Sequence, residues 1–150
     1  MVDTPAIKKR RSGIPTGNAG EYLVMGELLR RGYDAQLADR NTKGYDLLVG
    51  IPDDATGMRR VQVKSVRAAP WYVNPRSFEG DAAEQVTVYV LIGAETSQEH
   101  VRYFIGRNRD LAPHVHVPAG WTKAAFLPLV ALEPYEVKRA EDWRQVLGKP

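Results

Sequence analysis

Apolar residues recur at helical spacing over residues 19–31, where Val24, Met25 and Leu28 form a stripe and Glu27, Arg30 and Arg31 are left for solvent. Gly32 supplies the stop. The pattern then changes. Residues 45–51 are dense in apolar and β-branched side chains and predict a strand, and Val61-Gln62-Val63-Lys64-Ser65 alternates residue by residue and predicts another. The intervening residues 52–57, rich in Pro, Asp and Gly, predict a turn that joins the two as a hairpin-like pair. Residues 85–93 and 100–106 predict a second strand pair, and residues 138–147, with Trp143, Val146 and Leu147, predict a closing helix. The elements add up to an α/β domain with a central mixed β-sheet flanked by α-helices.

Four polar side chains break this pattern. Along a strand successive side chains point to opposite faces, so Gln62 and Lys64 share one face and Val61 and Val63 the other. An unpaired polar group on the inner part of a core strand costs roughly 2–7 kcal/mol, so its presence asks for a reason. Asp46 stands at the start of the preceding strand, just after Gly44-Tyr45, where it either meets Gln62 and Lys64 or serves as a turn residue while Lys64 snorkels at the sheet edge. Glu21 precedes Val24, Met25 and Leu28 by three, four and seven residues, which puts a carboxylate on the helix stripe that should pack against the sheet. A capping box with Asn18 as N-cap is the other reading of Glu21.

Two carboxylates, an amide carbonyl and an ammonium suit a hard divalent cation. Mg²⁺ prefers oxygen ligands and is commonly held by one or two carboxylates, here Glu21 and Asp46, with the Gln62 carbonyl oxygen as a further donor and Mn²⁺ as an alternative ion. Lys64 is too cationic to be a ligand. It suits the tasks of orienting a water and balancing charge that grows on an attacked phosphate.

On these residues the chain resembles the PD-(D/E)xK, or restriction-endonuclease-like, nuclease superfamily, and within it small Holliday-junction-resolvase-like endonucleases. The resemblance covers roughly residues 17–106: a helix with Gly20-Glu21, Gly32-Tyr33 leading into a strand, Gly44-Tyr45-Asp46-Leu47-Leu48-Val49, and Val61-Gln62-Val63-Lys64-Ser65. It implies metal ligation by Glu21, Asp46 and Gln62, and assistance to the nucleophile by Lys64. Tyr45 stands where the pattern has Pro, which touches backbone stiffness more than ligand chemistry. Gln62 stands where it has Asp or Glu, which removes one negative charge and should weaken metal affinity.

Charge adds a partner. The net charge is +3, and residues 1–15 account for it with Lys8, Lys9, Arg10 and Arg11 against one acidic residue. A flexible basic N-terminal arm over 1–15, followed by one nuclease-like domain over 16–150, would add salt-dependent phosphate contacts; a solubilising tail is the alternative. The loop residues Arg40, Asn41, Thr42 and Lys43 lead into Asp46 and either touch phosphates or form an ordinary turn. In residues 68–84, Trp71, Tyr72 and Phe78 lie among prolines and either staple a loop onto the core or stack on unpaired bases. His114 and His116 would point the same way on an extended segment, but no Cys or third His accompanies them, so an ordinary loop is expected.

With no cysteine, structural disulfides and thiolate metal sites are excluded, and no run of apolar residues is long enough to span a membrane. Nothing in the polar N-terminus reads as a signal peptide, and a cytoplasmic protein is expected. The expected activity is Mg²⁺-dependent hydrolysis of DNA phosphodiester bonds, structure-selective, by a homodimer if two strands are cut. The alternative is a nuclease-fold protein without catalysis that binds DNA or protein, and Gln62 is the residue that favours it.

Overall fold

A computed structural model describes residues 14–39, 41, 44–54, 57–118 and 125–150. The chain opens with helix α1 (Ile14–Arg30), followed by strands β1 (Asp34–Leu37), β2 (Leu47–Gly50), β3 (Arg59–Val66) and β4 (Trp71–Tyr72). Then come β5 (Val86–Leu91), β6 (Arg102–Arg107), α2 (Asn108–Leu111), β7 (Phe126–Leu127), α3 (Leu129–Leu132) and α4 (Ala140–Leu147).

Helix α1 starts earlier than its apolar stripe suggested. Pro15 sits in its first turn, where a missing N–H costs nothing, and Asn18 therefore lies inside the helix rather than at its N-cap. That removes the capping-box reading of Glu21. Gly32, at φ +96°, ends the helix, and the Tyr33 amide closes back onto the Leu28 carbonyl at 3.0 Å.

Five strands form one mixed sheet in the order β1-β2-β3-β5-β6. All neighbours are antiparallel except β3 and β5, which run parallel with Gln62 beside Thr87 and Lys64 beside Tyr89. The two predicted strand pairs are thus halves of a single sheet, and β3 is its middle strand. A parallel neighbour needs a long crossover. Residues 67–85 provide it with β4 and two 3₁₀ turns instead of a long helix.

Each sheet face carries its own apolar cluster. One side packs Val61, Val86, Val88, Val90, Leu47 and Val49 against Val24 and Leu28 of α1 and Trp143 and Leu147 of α4. On the other side Tyr89 and Phe104 meet a second layer built from Trp71, Leu127, Leu111 and Leu132, in which β4 pairs with β7. Trp71 is buried, edge-on to Tyr89 and Phe104, so it staples the crossover to the core and is closed to base stacking. His114 ends a 3₁₀ turn against Tyr135, whereas His116 stacks on Phe126. The two histidines therefore do not act as a pair.

Among the described residues no helix is long and apolar enough to cross a membrane. Lys8, Lys9, Arg10, Arg11, Arg40, Thr42 and Lys43 lie outside the described residues.

Candidate active site

Asp46 is held just before β2 begins. The β2–β3 register pairs Leu47 with Val61, and one step further it sets Asp46 opposite Gln62. The Asp46 amide donates to the Val61 carbonyl at 2.9 Å, and its carboxylate Oδ2 accepts from the Val63 amide at 2.8 Å. The carboxylate thus takes over the backbone donor between Gln62 and Lys64. A charge-assisted bond of this kind fixes both the side chain and the strand it meets.

Lys64 lies on the face of β3 away from α1, as alternation from Val63 requires. Burial lowers its pKa from the ordinary lysine value, and the nearby Asp46 carboxylate partly restores it. The two are electrostatically coupled. Gln62 shares that face and that half-buried setting. Trp71 donates its indole N–H to the Lys64 carbonyl at 3.2 Å and so anchors this stretch of β3 to the second layer.

Glu21 approaches from α1, on the opposite face. The approach is set by Gly20, which faces Ser65 of β3: a Cβ there would lie 1.5 Å from Ser65 Oγ and 3.6 Å from Val63 Cγ1. No side chain fits at that crossing. Gly20, Val24 and Leu28, four residues apart, are the buried stripe, and Glu21 flanks it, half-buried. Glu21 and Asp46 line one cleft of about 250 Å³, together with Asn18, Asp39 and Tyr45. Gln62 and Lys64 do not line it.

The structure therefore brings Glu21 to Asp46 in a cleft, and Asp46 to the Gln62–Lys64 strand through a backbone amide. Among the described residues no three His, Cys, Asp or Glu side chains form a metal-holding group. The cleft itself offers the carboxylates of Glu21, Asp39 and Asp46 and the amide of Asn18, and Gln62 stands outside it on β3. Asn41 is exposed, its amide turned back onto Asp39 Oδ1 at 2.9 Å.

Three features of the site have no counterpart in side-chain patterning. The Val63 amide is a backbone group, and Gly20 matters for an atom it lacks. The third is Tyr45, whose ring lies 5.1 Å from the Arg60 guanidinium, while Gln85 Nε2 donates to the Gly44 carbonyl. The segment before Asp46 is thereby tied to β3 and to the residue just before β5.

No protein-family model matches the sequence, and no curated protein matches it. Among solved structures the chain is similar to Hjc of Archaeoglobus fulgidus, a Holliday junction resolvase from an archaeal hyperthermophile, at TM-score 0.53 and 13% identity. The likeness covers 83% of this chain and 93% of the resolvase. An α/β unit with a five-stranded mixed sheet between helices, aligned over nearly all of that protein, shares the fold of the resolvase.

Proposed function

We propose that this protein is a divalent-metal-dependent endodeoxyribonuclease that hydrolyses phosphodiester bonds of DNA, with a preference for branched or otherwise distorted duplexes. One observation carries the reading: the Asp46 carboxylate shares a cleft with Glu21 and bonds the amide between Gln62 and Lys64. A structural carboxylate could cap that amide alone. A second carboxylate in the same cleft, with Asp46 in turn coupled to a lysine whose ammonium is desolvated, suits phosphoryl chemistry. The similarity to a junction resolvase supports DNA as the substrate class.

Mg²⁺ or Mn²⁺, hard ions content with one or two carboxylates, suit Glu21 and Asp46, which share the cleft and would hold the ion, with Gln62 on the strand beside Asp46 as the further donor the reading requires. When bound, it would supply Lewis-acid polarisation of the phosphate and a lowered pKa for water. The protein's own residues do the rest. Asp46 keeps its orientation through the Val63 amide, and Lys64 steers a water toward phosphorus and donates to a phosphoryl oxygen as charge develops there. Burial strengthens that donor, because an ammonium in a low-dielectric setting interacts more strongly than one in water.

Branched, nicked and linear DNA incubated with Mg²⁺ or Mn²⁺ tests the proposal: at least one substrate is cut, and EDTA stops the reaction. Failure to cut any of them overturns it. Gln62 favours a second reading, a nuclease fold that binds DNA without cutting. Gln62→Glu separates the two, since restoring the carboxylate keeps or raises cleavage in an enzyme and leaves a binder inert.

A further inference from the structure

A cavity of about 570 Å³ lies away from the Glu21–Asp46 cleft, at the end of the sheet where β3 and β5 begin and β6 ends. Arg59, Arg60, Arg107 and Gln85 line it together with Asp81 and Glu84. Glu84 is engaged by Arg109 at 3.2 Å, whereas the three lining arginines form no ion pair among the described residues. Three guanidinium groups in one concavity, none ion-paired among the described residues, are not what a stability argument calls for. They are what a phosphate ligand would need, since the planar guanidinium fork matches phosphate oxygens in pairs.

The placement ties this cavity to the candidate active site. Arg60 shares the β3 face of Gln62 and Lys64, so the three side chains form one row spanning about 13 Å at the usual strand rise. Its guanidinium lies over the Tyr45 ring, next to Asp46; stacking there leaves the in-plane N–H donors available. Gln85, on the cavity wall, reaches the Gly44 carbonyl two residues before Asp46. Arg107 is registered beside Val86, which is registered beside Val61, so it shares with Arg59 the α4-facing side. The arginines thus wrap the sheet end, and Arg60 joins them to the catalytic row.

We propose that this concavity is a phosphate-binding groove for a DNA strand, holding the sugar–phosphate backbone as it leaves the Asp46–Lys64 site, with Arg60, Arg59 and Arg107 as the contacting residues. It rests on the endonuclease reading for the identity of the strand. Asp81 and Glu84 set a limit on the groove, since they oppose a ligand that carries its charge too close to their side.

The test is equilibrium binding of a branched DNA to the full chain in EDTA, where nothing is cut, over a range of salt. Arg59→Ala, Arg60→Ala and Arg107→Ala each lower the slope of log affinity against log salt by about 0.9, and Arg107→Lys keeps most of it. Arg30→Ala, on α1 beside Glu27, is the control and leaves the slope as it is. Unchanged affinity and slope in all three alanine variants overturn the groove, even if the wild type cuts DNA with Mg²⁺. Weakened binding in the variants of a protein that cuts nothing sustains the groove and sinks the catalytic reading instead. Inorganic phosphate is the further probe. If it raises thermal stability in an Arg107-dependent way while the variants bind DNA like wild type, the site takes a free anion and the strand proposal falls.

Discussion

Lys64 is the residue where sequence pattern and physical cost meet most openly. An ammonium on the middle strand of a sheet stands out in the sequence because its neighbours Val61 and Val63 are apolar, and the same contrast marks Gln62. The partner that steadies the site could not be read this way, because the Asp46 carboxylate bonds the backbone amide of Val63, and every residue but proline has one. If Lys64 acts on the developing phosphoryl charge, Lys64→Ala lowers the cleavage rate roughly 10²–10³-fold with DNA affinity nearly intact, as measured by single-turnover kinetics beside binding in EDTA. Its burial has a second consequence. With the folded-state pKa below 10.5, the unfolded chain binds more protons in that window, so this group's contribution to stability rises with pH up to about 10.5. Lys64→Met is therefore more stable than wild type at neutral pH in metal-free buffer, and urea titrations show the gap narrowing toward pH 10.

Helix α1 shows what periodicity reveals of an element and what it hides. Its stripe, its end at Gly32 and the presence of Glu21 beside the stripe were legible, since Val24 and Leu28 carry a helical repeat into the core. Its start was not, because residues 14–19 contribute little apolar signal and Gly17 and Gly20 weaken propensity. The glycines separate into two kinds. Gly20 meets Ser65 where a Cβ would overlap it, whereas Cβ positions built at Gly17 and Gly26 have nothing within 4 Å. Gly20→Ala should thus cost about 1–3 kcal/mol by overpacking and should also depress cleavage, because the helix must lift and carry Glu21 with it. Gly26→Ala, exposed in mid-helix, should stabilise by roughly 0.5–1 kcal/mol and leave cleavage unchanged. Chemical denaturation of both variants checks the contrast; equal effects would mean that the α1–β3 crossing does not set the helix position.

For the molecule as a whole, the parallel β3–β5 pairing was the hardest feature to foresee. Sequence signals parallel strands through an intervening helix, and here the crossover is made of short turns held by a buried hub. Asn108 forms that hub: it accepts from Thr87 Oγ1 at 2.7 Å and donates to the Ser77 and Ala82 carbonyls at 3.0 and 2.9 Å. Nothing in the local pattern around Asn108 announces partners more than twenty residues away. Opposite, Arg102 grips Glu136 through two bonds of 2.9 and 2.7 Å and locks the segment before α4 onto β6. That guanidinium lowers the Glu136 pKa, so the pair stabilises above the unfolded carboxylate value and loses its contribution as pH falls through the folded one. Glu136→Gln costs about 1 kcal/mol near neutrality, discounted for the partly exposed arginine, and the difference from wild type fades below about pH 4.

If the basic residues Lys8, Lys9, Arg10 and Arg11 contact DNA, their effect falls on binding rather than chemistry. Deleting residues 1–11 should weaken DNA binding at low salt and flatten its salt dependence by up to about four contacts at roughly 0.9 each. An unchanged salt slope would make the segment a bystander.

The central claim is that Asp46 belongs to a hydrolytic centre and is more than a cap on the Val63 amide. Single-turnover cleavage of a branched DNA in Mg²⁺, by wild type and by Asp46→Ala, tests it most directly, with thermal unfolding and DNA affinity in EDTA measured on the same preparations. We expect the wild type to cut, and the variant to stay folded, bind DNA comparably and lose cleavage. A folded Asp46→Ala protein that cuts as fast as wild type would contradict the account.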